Sequence, residues 1–291
     1  VARAVDQGQP VTTRTLTVSG AVARPATFTV PLGTPLREVL EKAGGATIAN
    51  PAYMEGGPIM GKVLDDLDQP VTKTTSGLLV FPDTHRLIVN QRTPMERILQ
   101  IARTTCDQCA LCTDLCPRHL IGHELPPHLI VRAVNQGDAK PSIPLSALTC
   151  SECAICELYA CPCDISPMRL NKALKAKFRA EGMRYVGELG PADEMAEYRL
   201  IPSKKMAARI AVDPYVLPAP LDESSWMPAR VVLPLQQHVG KPAQALVAPG
   251  ERVRAGQLLA HMPDGQLGAA IHASVAGTVE SISASAITLR T

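Results

Sequence analysis

Large aromatic side chains are scarce in this sequence, where Phe, Tyr and Trp together make up 3% of 291 residues. Prolines, by contrast, number 26, which indicates many short segments and turns rather than one large layered core. A chain of this length exceeds a usual single domain, so we expect about two to four modules, each with a small core of its own.

Other missing features exclude classes of function. The formal net charge of +2 gives no indication of a nucleic-acid partner. The sequence contains no run of about 18 apolar residues, so no membrane span is predicted. The opening segment VARAVDQGQPVTTRT has neither the apolar region of a signal peptide nor an initiator Met. We therefore expect a soluble, non-secreted chain that begins inside a longer protein.

The cysteines are spaced in a regular pattern along the chain. Eight of the nine cysteines fall into two runs of four, and each run ends in Cys-Pro. The first run is Cys106, Cys109, Cys112 and Cys116, and the second is Cys150, Cys153, Cys156 and Cys161. In a chain without a secretion signal, such runs indicate metal or redox chemistry rather than disulfides.

The spacing of the first run, Cys-x2-Cys-x2-Cys-x3-Cys-Pro, is that of bacterial two-cluster ferredoxins. The second run has one extra residue before its last cysteine, and Cys163 is left over. Zinc is the alternative, because Cys-x2-Cys pairs also build zinc sites. A third cysteine at the same spacing, a following Cys-Pro and a duplicated run favour two [4Fe–4S] clusters.

In the ferredoxin pattern the fourth cysteine of each run ligates the other cluster. The predicted ligands of the first cluster are therefore Cys106, Cys109, Cys112 and Cys161, and those of the second are Cys116, Cys150, Cys153 and Cys156. Cys161 is preferred to Cys163 because it precedes Pro162, although the extra residue in the run could bring Cys163 into use. The histidines at 119, 123 and 128 are predicted to be surface or hydrogen-bonding groups, and no catalytic residue is predicted.

The segment before the cysteines has the pattern of a β-grasp domain. Residues 15–30 alternate apolar and polar residues around a turn, which predicts a hairpin. The stretch GTPLREVLEKAGG then predicts a helix with Thr34 as N-cap, Pro35 at its first position and Gly44 as its stop.

The clearest predicted helix follows the second run, with Ser166 as N-cap, Pro167 at its first position and Gly182 as its stop. Its predicted apolar stripe consists of Leu170, Ala173, Leu174 and Phe178. Its opposite face carries a basic strip of Arg169, Lys172, Lys175 and Arg179. This strip is either a solvated helix face or a surface that steers an acidic redox partner. From residue 183 to 227 the sequence is polar and rich in proline, which is typical of a connector, with a short helix near SKKMAARIAV.

The carboxy-terminal segment consists of short β-prone runs separated by glycines, which indicates a small all-β sandwich. The regular spacing of its apolar residues and glycines resembles that of biotinyl and lipoyl carrier domains. Those domains carry a modified lysine. Because no lysine occurs after Lys241, we expect a docking or scaffolding module rather than a swinging arm.

Four stretches together resemble a known family: CDQCALCTDLCPRHLIGHELPPHLIVRA, CSECAICELYACPCDISPMRLNKALK, GGPIMG and PVTKTTSGLLVFP. They resemble the cobalamin reductase of propanediol-utilization microcompartments and, more distantly, the C subunit of the Rnf electron-transport complex. The resemblance implies an α+β multidomain chain. It implies residues 1–14 as the tail of a flavin domain, 15–92 as an SLBB-like β-grasp domain with a following loop, 93–182 as an α-helical two-[4Fe–4S] ferredoxin domain, 183–227 as a connector, and 228–291 as a barrel-sandwich hybrid domain.

The resemblance also implies a function. NADH would reduce FMN in a domain upstream of Val1, and electrons would pass through the clusters to cobalamin, a cobalamin-processing enzyme or another redox protein. The implied location is a bacterial microcompartment in the cytoplasm, where the shell is a further partner. Two alternatives stay open: an Rnf-like subunit that feeds a membrane complex, and a scaffold whose clusters are mainly structural.

Overall fold

The computed structural model describes residues 2–136, 140–224 and 226–291. The chain divides into two compact units. The first unit comprises Val1–Gly57, Gly61–Asp83 and Tyr215–Thr291, and the second comprises Pro58–Met60 and Thr84–Pro214.

The two units differ in secondary structure. The strands, all in the first unit, are β1 Thr13–Gly20, β2 Ala26–Pro31, β3 Pro51–Glu55, β4 Lys62–Leu64, β5 Gly77–Pro82, β6 Leu221–Asp222, β7 Arg230–Pro234, β8 Gln244–Ala245, β9 Arg252–Val253, β10 Leu258–His261, β11 Ile271–His272, β12 Gly277–Ile282 and β13 Ala286–Arg290. The α-helices are α1 Ala2–Gln7, α2 Leu36–Lys42, α3 Arg86–Arg92, α4 Met95–Thr105, α5 Leu111–Asp114, α6 Pro117–Leu120, α7 Pro127–Gln136, α8 Ser142–Leu145, α9 Pro167–Ala180 and α10 Ser203–Arg209. Short 3₁₀ turns cover Ser146–Thr149, Ala196–Arg199 and Asp213–Tyr215, and a π-helical turn covers Cys156–Ala160.

The amino-terminal part of the first unit is a β-grasp domain. Its six-stranded sheet has the order β4-β3-β5-β1-β2-β6. β1 and β2 form the predicted antiparallel hairpin, with Leu16 opposite Phe28, and β5 runs parallel to β1. Leu36, Val39 and Leu40 of α2 belong to the same buried core as the hairpin. The predicted fold of this domain is confirmed.

The predicted start of α2 is wrong by one residue. The helix begins at Leu36, and its N-cap is Pro35, which has an extended backbone. The Thr34 hydroxyl is buried and donates to the Pro31 carbonyl oxygen at 2.8 Å. This bond to the preceding turn occupies the side chain that was expected to cap the helix. The predicted stop is supported by Gly44, whose φ of +81° ends the helical conformation.

The carboxy-terminal part of the first unit is the predicted all-β domain. Its sheets have the orders β7-β13-β12-β9 and β11-β10-β8. Leu233, Leu259 and Ile287 lie in the core between these two sheets. Leu32, which follows β2 in the β-grasp domain, lies in this same core, and its carbonyl oxygen accepts from the Ser274 hydroxyl at 2.6 Å. The two β domains of the first unit therefore share buried contacts.

The second unit is helical. Ile98 and Ala102 of α4, Val131 of α7 and Leu170 of α9 share a core with Cys161. The chain after α9 runs along this unit, where the Arg209 guanidinium of the predicted short helix α10 donates to the Cys161 carbonyl oxygen at 3.1 Å. The helices are thus packed directly against one of the predicted cluster ligands.

Helix α9 has the predicted N-cap, Ser166, and the predicted Pro at its first position. Its buried face, however, is rotated from the predicted stripe. Ala173 is exposed, whereas Asn171 is 1% exposed and the Lys175 side chain is 11% exposed. Asn171 and Lys175 are four residues apart and therefore lie on one side of the helix, which faces the second cysteine run.

Strands β1 and β5 lie very close together at Gly20, so a larger residue there should destabilise the first unit. Gly20 has φ of +94°, and a Cβ there would lie 2.2 Å from the Val80 carbonyl oxygen. Gly20→Ala should lower the free energy of unfolding of the first unit by more than about 2 kcal/mol, because left-handed strain of about 1–2 kcal/mol adds to the loss of strand pairing. Urea denaturation followed by circular dichroism measures this loss.

Gly45 is the matched control for this substitution. Its φ is +76°, and a Cβ there would meet no atom of the described residues within 4 Å. Gly45→Ala should therefore cost only the left-handed strain. Equal losses for the two variants would contradict the role given to the Gly20–Val80 contact.

Candidate metal centre

The first cysteine run forms a loop between two helices. Cys106 is the C-cap of α4, and Cys112 lies within α5. Between them, Gln108 and Ala110 have φ of 59° and 63°. Two left-handed residues in so short a stretch are unusual for side chains other than glycine. They curl the loop so that its thiols line one cavity.

The second run repeats this backbone. Glu152 and Ala154 have φ of 59° and 58°, and they occupy the same places relative to Cys150 as Gln108 and Ala110 occupy relative to Cys106. The duplication seen in the sequence therefore extends to the dihedral angles of the loop.

The cysteines are divided between two cavities. The first is lined by Cys106, Cys109, Cys112, Cys161 and Cys163. The second is lined by Cys116, Cys150, Cys153 and Cys156. The structure brings each predicted ligand set to one cavity, with Cys163 beside the first.

Burial strongly affects the ionisation of these thiols. Burial, with neighbouring cysteines adding to it, raises the pKa of Cys112 to about 12. Burial likewise raises the pKa of Cys116, Cys150 and Cys161, and raises that of Cys156 well above its ordinary value. Metal ligation requires the thiolate. A bound metal group would supply the positive charge that stabilises several thiolates at once.

Several N–H groups point at these sulfurs. Gln108 Nε2 donates to Cys106 Sγ at 3.2 Å, and the Glu152 backbone N–H donates to Cys150 Sγ at 3.4 Å. The backbone N–H groups of Ile165 and Cys163 oppose the rise in the pKa of Cys161. Such donors stabilise sulfur ligands that carry negative charge.

The buried amide of Asn171 indicates whether an iron–sulfur cluster fits the second cavity. Asn171 lines the second cavity, and neither atom of its side-chain amide has a hydrogen-bond partner within the part of the chain that the structure describes. A buried polar group left unsatisfied costs about 1–3 kcal/mol. Sulfur atoms of a bound cluster and its ligands would supply acceptors for the amide NH2 group of Asn171, so the donor set and the cavity fit the group.

Among residues 2–136, 140–224 and 226–291, no group of three or more His, Cys, Asp or Glu side chains is arranged to hold one ion. The thiolates around a cluster of four irons lie further apart than those around one ion, so this finding is compatible with the two cysteine-lined cavities.

Sequence reasoning missed Lys175 as a support of the second run. Its ammonium group donates to the Cys150 carbonyl oxygen at 2.7 Å and to Glu152 Oε1 at 2.8 Å. Lys172 lies 3.9 Å from the other Glu152 oxygen. Arg169 donates to the carbonyl oxygens of Asn90 and Thr93 at 2.9 and 2.6 Å. The predicted basic strip is therefore partly a set of internal contacts.

The histidines near the first run form hydrogen bonds. His128 Nδ1 lies 2.6 Å from the Thr113 hydroxyl, and the Arg118 guanidinium donates to His123 Nε2 at 3.3 Å. Burial lowers the pKa of His128, which also lines the first cavity. The N–H of His119, like that of Arg118, opposes the rise in the pKa of Cys116.

Family models match three segments of the chain. The SLBB domain matches residues 15–63, the 4Fe–4S dicluster domain matches residues 105–166, and the RnfC barrel sandwich hybrid domain matches residues 221–291. The dicluster match includes all nine cysteines. It supports iron–sulfur clusters as the metal groups of this chain.

Alignments with whole relatives cover nearly the full length of the chain. Cobalamin reductase PduS of Salmonella typhimurium is 57% identical over 99% of this chain, and that of Citrobacter freundii is 53% identical over 99%. This chain covers 64% of the length of each of these relatives. The C subunit of the ion-translocating oxidoreductase complex of Salmonella arizonae is 39% identical over 43% of this chain and 17% of its own length.

Within the described residues, no helix is long and apolar enough to cross a lipid bilayer. The resemblance found in the sequence is confirmed. This chain contains an SLBB domain, a 4Fe–4S dicluster domain and an RnfC barrel sandwich hybrid domain, and it is similar to cobalamin reductase PduS along 99% of its length.

Proposed function

We propose that this chain is an electron conduit of a cobalamin reductase, in which two [4Fe–4S] clusters carry single electrons toward cobalamin. The observation that carries the proposal is the pair of cysteine-lined cavities, built by duplicated loops in a chain similar to cobalamin reductases. The electrons would come from NADH through FMN, for which we assign no residue in this chain. The reaction would take place in a propanediol-utilization microcompartment.

We assign Cys106, Cys109, Cys112 and Cys161 to the first cluster, and Cys116, Cys150, Cys153 and Cys156 to the second. Bound clusters supply one-electron redox chemistry whose potential depends on hydrogen bonds and solvent exposure. Cys116 and Cys161, the fourth cysteines, tie each run to the cavity of the other. The Cys112 thiol, on the first run, is among the smaller causes that raise the pKa of Cys156, after burial as the largest cause. The two sites are therefore neighbours, as electron transfer between them requires.

Cys163 lies at the rim of the first cavity. It is half-buried, and the nearby groups Asp107, Cys109 and Cys106 contribute to raising its pKa, after burial as the largest cause. We assign it no ligand role, because Cys161 is the more buried of the two and receives two backbone N–H groups.

The likeness to the C subunit of the ion-translocating complex favours one alternative, a component that feeds a membrane complex. It covers less than half of this chain, whereas the cobalamin reductases match it almost throughout. A scaffold with structural clusters is the alternative of another class, and reversible reduction distinguishes a conduit from it.

The first test of the proposal measures the clusters. Anaerobically purified chain should contain about eight iron and eight sulfide atoms, and dithionite should bleach its visible absorption and produce EPR signals that reoxidation removes. The assay is iron and sulfide analysis combined with EPR. Zinc in place of iron, or clusters that no reductant changes, would contradict the conduit.

The second test concerns the exchange of fourth ligands. Cys116→Ser should damage the EPR signal of the second cluster and leave the first, because Cys116 lines the second cavity. Cys161→Ser should do the reverse, and Cys163→Ser, the control, should retain both signals. If Cys116→Ser removes the first cluster instead, each run closes on itself and the assignment is wrong.

The third test concerns docking of an acidic redox partner. Lys172 and Arg179 on α9 are exposed, whereas Lys175 is nearly buried against Cys150. Reversing Lys172 and Arg179 to Glu should slow electron transfer to an acidic carrier roughly tenfold at low salt and flatten its salt dependence. Stopped-flow kinetics over a range of salt concentrations measures both effects.

The matched control reverses Lys204 and Lys205 of α10, which are exposed in the same unit. This variant has the same net charge as the docking variant. If both variants slow the reaction equally, the effect is one of total charge, and the α9 surface is only a solvated helix face.

A further inference from the structure

Asn171 is a polar side chain of the second cavity that belongs to neither ligand set. It lies in the second turn of α9 and is 1% exposed. Both atoms of its side-chain amide are buried and unpartnered among the residues that the structure describes. The same amide lines the cavity that Cys116, Cys150, Cys153 and Cys156 surround.

The position of this amide is fixed from the neighbouring turn of the helix. Lys175 lies four residues later on the same side of α9, and its ammonium group holds the Cys150 carbonyl oxygen at 2.7 Å. This bond ties α9 to the start of the second run. Asn171 is thereby held in the lining of the second cavity together with Cys150.

The first cavity has a side-chain amide as well, but in a different setting. Gln108 Nε2 donates to Cys106 Sγ at 3.2 Å and also to the His128 carbonyl oxygen at 3.2 Å. Gln108 is half-buried and lies on the cysteine loop itself. At the corresponding place in the second loop stands Glu152, whose carboxylate binds Lys175. The second site therefore lacks this loop amide, and α9 offers one in its place.

We propose that Asn171 is a positioning residue of the second site, where its side-chain amide donates a hydrogen bond to the Cys150 sulfur and raises the reduction potential of the cluster bound there. Reduction adds negative charge to the sulfur atoms, so an N–H donor stabilises the reduced form more than the oxidised form. The effect is strengthened because the amide is removed from water. This inference rests on the proposed ligand sets.

Asn171→Leu removes the donor and keeps nearly the same size. At a fixed solution potential, the ratio of reduced to oxidised second cluster should fall roughly tenfold, which is about 59 mV for a one-electron couple. The first cluster should not change. Gln108→Leu is the matched control, which should shift the first cluster and leave the second. An EPR-monitored redox titration with iron analysis measures all four values.

A second measurement uses wild-type protein, so it does not depend on how well the variant folds. With ¹⁵N in asparagine side chains, pulsed EPR of the reduced second cluster should detect a weak nitrogen coupling that Asn171→Leu abolishes. Absence of this coupling in the wild type, or an unchanged potential in an iron-replete Asn171→Leu variant, would overturn the inference. A wild-type chain without iron–sulfur clusters would instead overturn the proposed function.

Discussion

The burial of thiol groups in two neighbouring cavities is the constraint on which the helical unit depends. Burial raises the pKa of at least one cysteine in every predicted ligand set, to about 12 at Cys112. Lys175 is a nearly buried cation in contact with the second run, and the Glu152 carboxylate pairs with it. Positive charge inside the cavities would let several thiolates form together, so metal binding and the packing of α4, α7 and α9 stabilise each other.

The two loops share a backbone but are supported by different side chains. The Gln108 side chain donates to Cys106 of the same loop. Glu152, at the corresponding place in the second loop, instead accepts from Lys175 of α9. The first loop is therefore supported largely by its own residues. The second is held by α9, which follows it in the chain. Different hydrogen bonds and different exposure give two otherwise similar clusters a physical basis for unequal potentials.

The first unit combines two β domains that lie far apart in sequence. Leu32 enters the core of the carboxy-terminal domain, and β6 extends the β-grasp sheet beside β2. Lys73 adds to this link, because its backbone N–H donates to Gln237 Oε1 at 2.9 Å. Separate modules in the sequence are thus one packed unit in the structure, because each provides apolar surface that the other covers.

The cysteine spacing by itself predicted the two cluster sites, since thiol ligands must follow one another at fixed intervals along a tight loop. Glycine, proline and alternating patterns predicted the hairpin, α2, α9 and the carboxy-terminal β domain. Their local causes, such as turn conformation and helix capping, lie within a few residues. The start of α2 and the buried face of α9 could not be obtained in this way. Thr34 bonds to an earlier turn, and the surroundings of α9 come from distant segments.

Which side chains support each site was decided only by the tertiary structure. Asn171 and Lys175 have an ordinary polar pattern on a helix, and the sequence placed Lys175 on a solvent-facing strip. Packing α9 against the second run rotates both toward Cys150, because the contact with the loop, rather than the apolar stripe alone, sets the orientation of the helix. Spacing along the chain determined the ligands to be expected, and packing between distant segments determined what surrounds them.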